Sequence, residues 1–218
     1  RLRLRKNLAK IDELLNDPEF RKDAIVVPVP DSGRSAAVGY AKQSKLPYLE
    51  GLMKNRYVWR TFIMPGQKKR KAAVREKLNP IKSVVKGKND IMVDDSIVRG
   101  TTTKQIVSLM RDAGAKTVNV RISCPPVVSA CYMGIDFPTR HELIAGRYQA
   151  KFGDEEYIEC IRKKVEADSL LYQTVDGLVE SIGLTKDQLC LACLTGKYPL
   201  KSIDKLAELE NTIAHDRA

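Results

Sequence analysis

An apolar run, Ile91-Met92-Val93, passes directly into two adjacent carboxylates, Asp94 and Asp95, and then into Gly100-Thr101-Thr102-Thr103. A helical period follows, with Ile106, Leu109 and Met110 on one face and Gly114 placed to end it. Strand, polar turn and helix in immediate succession point to folds in which a buried strand hands over to a crossover helix. A helix N-terminus presents unpaired N–H groups and the positive end of the helix dipole, so the Gly-Thr-Thr-Thr turn suits a phosphate. Two carboxylates beside that cradle suit the hydroxyls and the metal ion of a sugar phosphate. The plainer alternative is a surface turn with a capping Asp. The buried run before the carboxylates and the three successive threonines argue against it.

The same pattern occurs earlier in the chain. Ala24 to Val29 is β-branched and closes at Pro30, and Asp31-Ser32-Gly33-Arg34-Ser35 is turn chemistry. Ser35 to Gln43 reads as a helix with Ala36, Ala37, Tyr40 and Ala41 toward a sheet. Leu46 to Leu49 reads as a weak strand, and Asp90 to Val93 and Thr117 to Ile122 as buried ones, with a helix over Thr102 to Ala113. The expectation is an α/β fold, a mostly parallel sheet flanked by helices. Ligands of such sheets sit beyond the carboxyl ends of the strands, where both turns fall. In the first turn, Gly33 would let an anion approach the backbone, Arg34 could grip phosphate with two N–H groups, and the Ser32 oxygen could join the shell of a hard metal. Taken alone, that turn reads equally well as a simple connection.

After Cys124-Pro125-Pro126 the pattern turns helical, with Ile158, Ile161 and Val165 marking one helix and Leu178, Val179 and Ile182 another. Ala207, Leu209 and Ile213 mark a terminal helix, and Leu4, Leu8, Ile11 and Leu15 an amphipathic one at the start. The expected organisation is a helical lead-in over 1–20, a sheet domain over 21–150 and a helical extension over 151–218.

A chain of 218 residues, 43% hydrophobic and 30% charged, suits a soluble protein with one sizeable core. No apolar run approaches the ~20 residues of a membrane span. The net charge of +11 is local: residues 51 to 89 hold twelve Lys or Arg and one acid, Glu76. Three readings fit that segment. It could be a solvated face, a nucleic-acid surface, or a loop that folds over a small polyanion. Lys54 to Gln67, basic with interleaved aromatics, suits either stacking on single strands or a lid over diphosphate. Five cysteines without a secretion signal argue against a disulfide framework, and Cys190-Leu191-Ala192-Cys193 alone is a weak metal signal.

Taken in order, Val27-Pro28-Val29-Pro30-Asp31-Ser32-Gly33, Lys54 to Gln67, Val93 to Thr102 and Ser123-Cys124-Pro125-Pro126 resemble one family. Tyr132-Met133-Gly134-Ile135-Asp136, Ala167-Asp168-Ser169-Leu170 and Cys190 to Pro199 extend the likeness. The chain resembles the phosphoribosyltransferase part of glutamine phosphoribosylpyrophosphate amidotransferase over roughly residues 5 to 200. The resemblance implies a type I phosphoribosyltransferase fold. It also implies amidation of phosphoribosyl diphosphate by ammonia, as the first step of purine biosynthesis, with loss of diphosphate. Asp94 and Asp95 would hold the ribose and Mg²⁺, with Ser32 as a further magnesium position. Ser96 and Arg99-Gly100-Thr101-Thr102-Thr103 would bind the 5′-phosphate side, and Ser32, Gly33 and Arg34 the substrate at the other turn. Lys54, Arg56 and Arg60 would act from the segment that closes over substrate. Cys131, Cys190 and Cys193 match three of the four cysteines that hold a [4Fe–4S] cluster in some members. Cys124 and Cys160 match none, and His141 and His215 are assigned no role.

Two departures accompany the likeness. Trp59 stands where the family usually has Gly. The sequence opens at Arg1 about where the family's second domain would open, so the glutaminase domain with its nucleophilic Cys is expected outside this sequence, as a missing part of the same chain or as a separate subunit. The remaining expectations are a cytoplasmic homo-oligomer that binds neither nucleic acid nor membrane. Two other readings fit less well: a purine regulator with a phosphoribosyltransferase-like ligand domain, and a salvage phosphoribosyltransferase taking a nucleobase. The first would want a DNA-binding head, and the second sits poorly with Lys54 to Gln67 and the cysteines.

Overall fold

The structure, a computed structural model, describes residues 7–55, 78–135, 137, 139–203 and 205. Helix α1 (Pro18–Lys22) opens on Asp17, whose carboxylate accepts from the Glu19 N–H, with Pro18 in the first turn where its missing N–H costs nothing. Then come β1 (Ala24–Pro28), α2 (Arg34–Ser44), β2 (Leu52–Lys54), β3 (Leu78–Pro80), α3 (Lys82–Val85) and β4 (Asn89–Asp94). They are followed by α4 (Thr101–Asp112), β5 (Thr117–Ile122), α5 (Ile144–Val165), β6 (Ser169–Tyr172), α6 (Val175–Ile182) and α7 (Ala192–Thr195). Strands β1, β4, β5 and β6 form a parallel sheet in the order β1-β4-β5-β6, while β2 and β3 pair antiparallel in a second, two-stranded sheet.

Side chains alternate across the sheet, and both faces are covered, which explains the near-continuous apolar strands. On one face Val26, Ile91 and Val93 pack with Ala36, Ala37 and Tyr40 of α2 and with Leu8 and Phe20. On the other, Ile25, Val27, Met92, Val118, Val120 and Ile122 meet Ile106, Val107 and Met110 of α4 and Ile144, Ile161 and Val165 of α5. Among the described residues no helix is long and apolar enough to cross a membrane.

Three sequence expectations change. The second half is not purely helical: Ser169–Tyr172 is a strand, paired with Asn119–Ile122 of β5. Four residues are too few for periodicity to separate strand from helix. The division expected at 150/151 falls inside α5, whose one interruption is at Gly153 (φ 76°). Second, Leu46 to Leu49 makes only a single parallel bridge, Tyr48 to Val26. Val26 donates to Pro47 O (2.8 Å) and Leu49 donates to Val26 O (3.0 Å). Pro47 has no N–H with which to extend the ladder. Third, the helix expected over Leu4 to Leu15 stops early: residues 7–10 are helical, Ile11 is exposed, and a 3₁₀ turn, Glu13–Asn16, follows. The terminal helix expected around Ala207 to Ile213 lies outside the described residues.

Asp12 explains the early stop, because its side chain turns inward. Arg121 of β5 donates to Asp12 from Nη2 (3.0 Å) and from Nε, and the Tyr40 hydroxyl donates to the same carboxylate. Arg121 Nη1 donates to Ser169 Oγ (2.8 Å), which donates to Asn119 Oδ1 (2.8 Å). The Asp12 and Arg121 side chains are 3% and 2% exposed. Burial, and then the Asp12 charge, push the Tyr40 pKa up, so its hydroxyl stays a donor.

Asp90 on β4 has no such support. Its side chain is fully buried, and neither carboxylate oxygen has a partner. Burial raises its pKa to about 8 from 3.8. The folded chain therefore holds a proton there that the unfolded chain has released. The contribution of this group to stability is full below the ordinary carboxylate range and falls as pH rises toward 8, by at most about 1.4 kcal/mol per pH unit. Asp90→Val should raise Tm, and the Tm gap from the unmodified chain should widen from pH 5 to pH 8 in thermal melts. A gap independent of pH would show that this carboxyl ionises normally.

Candidate active site

The carboxyl ends of β1 and β4 meet at one edge of the sheet, with Pro28 level with Val93. Val29 donates to Val93 O (2.9 Å), and Gly33 donates back to Val29 O (2.9 Å), so the 29–33 turn folds down over the end of β4. A Cβ on Gly33 would lie 2.2 Å from Val93 O, which is why glycine stands there. This turn brings Ser32 Oγ to 3.2 Å from Asp94 Oδ1. The Pro30–Asp31 peptide is cis.

Asp94 ends β4 and is buried, while Asp95 is exposed. Asp94 Oδ1 accepts from the Asp95 N–H (2.8 Å), and Asp95 Oδ1 accepts from the Ser96 N–H (2.8 Å). Their backbone is held by the chain leaving β5: Ser123 donates to Asp94 O (3.0 Å) and Cys124 to Asp95 O (2.9 Å). Burial first, and then the neighbouring Asp95 charge, raise the Asp94 carboxyl well above its ordinary range. A cation between them would relieve both effects. The donors are hard oxygens, and Mg²⁺ characteristically takes one or two carboxylates plus substrate phosphates. Among the described residues no group of three or more His, Cys, Asp or Glu is gathered for a metal ion.

Beyond Asp95 the chain passes Ser96 and Arg99 to Gly100, which precedes α4 with φ 75°. No side chain caps α4, leaving its first N–H groups directed at the loop. Thr101 and Thr102 are exposed, while Thr103 is buried. Arg99 pairs with Glu142 at 2.9 Å, and Ile144 donates to Val98 O (2.8 Å). A Cβ on Gly100 would lie 2.7 Å from Ile144 Cδ1. Gly100→Ala therefore combines a left-handed backbone with a collision, and should cost about 1–3 kcal/mol. Inorganic phosphate binding, followed by calorimetry, should drop at least tenfold; unchanged affinity would detach this turn from phosphate.

On the other side, Lys54 of β2 pairs with Asp31 at 2.8 Å. Arg34 Nη1 lies 3.4 Å from Asp31 Oδ1, and its Nε lies 3.4 Å from Glu50 Oε1. Arg56, Arg60 and Trp59 fall outside the described residues. Of the residues named from the sequence, Ser32, Gly33, Arg34, Lys54, Asp94 and Asp95 are brought to one edge by the fold. Asp31, Tyr48, Glu50 and Glu142, which lie beside them, were not singled out from the sequence. Asp31 could have been flagged by its neighbours. The others needed the Val26–Tyr48 bridge and the turn before α5.

The cysteines lie on two segments pinned together. Val128 and Ser129 donate to Cys193 O (2.9 and 3.1 Å), the Tyr198 hydroxyl donates to Ala130 O (2.6 Å), and Tyr132 packs on Tyr198. Burial raises the Cys193 pKa first, followed by the charges of Cys131 and Cys190. The donor chemistry suits a soft metal centre. The three thiols are nonetheless not gathered as a ready metal site.

No protein-family model matches the chain. Curated relatives do. The amidophosphoribosyltransferase of Methanocaldococcus jannaschii is 50% identical over 197 residues, covering 90% of this chain and 39% of that protein. That of Pyrococcus horikoshii is 56% identical over 180 residues, covering 83% and 37%. The solved glutamine phosphoribosylpyrophosphate amidotransferase from B. subtilis, complexed with ADP and GMP, superposes with a TM-score of 0.72 at 46% identity. The match covers 91% of this chain and 42% of that one. The chain thus spans about two fifths of the length of these relatives. By sequence and by architecture it is related to the amidophosphoribosyltransferases over nine tenths of its own length, and its fold is that of a type I phosphoribosyltransferase.

Proposed function

We propose that the chain carries out amidophosphoribosyl transfer, in which ammonia displaces diphosphate from C1 of phosphoribosyl diphosphate to give phosphoribosylamine, the opening step of purine biosynthesis. The observation that carries the reading is the meeting of Ser32, Asp94 and the uncapped start of α4 at one sheet edge. The α4 N–H groups and dipole hold the 5′-phosphate. Asp94 and Asp95 accept hydrogen bonds from the ribose hydroxyls and fix the sugar with C1 toward the 29–34 turn. Arg34 and Lys54 face the leaving diphosphate and stabilise the charge that grows on it. Bound through Asp94, Asp95, Ser32 and the substrate's own oxygens, Mg²⁺ would neutralise that charge further. No protein nucleophile is required, because ammonia attacks the electron-poor C1 itself. Arg56 and Arg60 complete the cationic set in this reading.

The reading extends to a cytoplasmic homo-oligomer supplied with ammonia, either directly or from glutamine by a glutaminase part of the protein. A [4Fe–4S] cluster on Cys131, Cys190, Cys193 and a fourth thiolate belongs to it as well, and iron and sulfide analysis after anaerobic purification tests that. The transfer itself is tested by mixing the protein with Mg²⁺, phosphoribosyl diphosphate and ammonium. Diphosphate should appear only when all are present. Release that needs a nucleobase instead would identify a salvage enzyme, and no release at all would remove the proposal.

A further inference from the structure

Four charged groups surround the mouth of the β1–α2 turn in two opposed pairs, and they are not held equally. The Tyr48 hydroxyl donates to Glu50 Oε1 at 2.7 Å, and Tyr48 is itself fixed to the sheet edge by its bridge to Val26. Burial, and then Glu50, push the Tyr48 pKa up to about 12, so the proton stays on the hydroxyl. The Glu50 carboxylate is therefore anchored. Arg34 is held loosely: its Nη2 donates to Glu50 Oε2 at 3.5 Å, and its two closest other carboxylate contacts, to Asp31 and Glu50, are both 3.4 Å. These lengths lie at the weak end of hydrogen bonding. Arg34 is also the first residue of α2, directly after Gly33, and so sits at the turn that would hold diphosphate in the proposed reaction.

A loosely held guanidinium beside a fixed carboxylate is a cation that can change partners. We propose that Glu50, anchored by Tyr48, is a positioning residue that competes with diphosphate for Arg34 and so sets how readily that anion leaves the turn. The proposal rests on the diphosphate reading of this turn. With the site empty, Glu50 neutralises Arg34 and keeps it at the mouth. When diphosphate enters, its oxygens match the planar fork of Arg34 better than a single carboxylate at 3.4 Å does. When the anion departs, Glu50 takes the guanidinium back. The carboxylate thus weakens product binding, which favours release.

The test is calorimetric titration of the chain, with Mg²⁺ present, by inorganic diphosphate. Glu50→Gln should tighten binding about three- to fivefold, the scale of an exposed ion pair. Glu50→Asp, which keeps the charge, should bind within about twofold of the unmodified chain. Arg34→Met should weaken binding, and adding Glu50→Gln to Arg34→Met should then change nothing, because the competition has lost its object. Unchanged or weaker binding by Glu50→Gln overturns the proposal. So does equal tightening with and without Arg34, which would mark Glu50 as a general field effect. If the unmodified chain binds no diphosphate, the reading of the turn fails and this proposal with it. If it binds diphosphate but ignores Glu50, this proposal alone fails.

Discussion

Changing Asp94 and Asp95 together to Asn should reduce diphosphate release from phosphoribosyl diphosphate by about a thousandfold or more, while the protein folds as before. The loss follows from charge. Amides still accept hydrogen bonds, but they do not neutralise Mg²⁺ or pull on ribose hydroxyls as carboxylates do, and single groups of this kind are worth roughly 10²–10³ in rate. The retained fold follows from the same environment. Asp94 is buried and its carboxyl is raised by burial and by Asp95, so its negative charge is disfavoured in the empty site. Its contacts with the Asp95 N–H and Ser32 Oγ survive with an amide oxygen in place. Thermal melting should therefore show an unchanged or slightly higher Tm beside the lost turnover. Turnover retained within about tenfold would take both residues out of the chemistry. A collapsed Tm would make them structural.

Asp12→Ala should be severely destabilising, by about 3–5 kcal/mol. It leaves the Arg121 guanidinium buried with two of its hydrogen bonds gone and strands the Tyr40 hydroxyl as well. For a chain of this size that corresponds to a Tm lower by about 10 °C. Removing the charge from both sides, with Asp12→Leu and Arg121→Met, should recover at least half of the loss, because no uncompensated ion is left inside. Denaturant unfolding of the single and double variants decides it: a double variant as weak as Asp12→Ala would mean that the packing of the lead-in, and not the stranded charge, dominates.

The parallel sheet was legible because short stretches centred on β-branched and apolar residues, buried on both faces, leave a plain trace, as Ala24–Pro28 and Asn89–Asp94 do. The turns were legible because Gly, Ser, Asp and Thr cluster after those runs. Strand β6 was not, since Ser169–Tyr172 offers one turn's worth of pattern and follows a long helix. The Asp12 network was hidden for a different reason. Nothing local distinguishes an inward Asp from a surface one, and its partner Arg121 lies 109 positions away. Glu50 was equally silent, since its meaning depends on the bridge that places Tyr48 beside Val26. The proposed aminating chemistry came from the resemblance and not from periodicity or charge.

One backbone rung, from the Val29 N–H to the Val93 carbonyl, ties the two turns together although they stand far apart along the chain. The spacing between Ser32 and Asp94 is therefore set by the sheet and not by whatever length of chain runs between α2 and β4. Insertions or deletions in that connection are therefore expected to leave the Ser32–Asp94 spacing unchanged. In such an architecture the connecting segment can drift in length among descendants while the two turns keep their mutual placement.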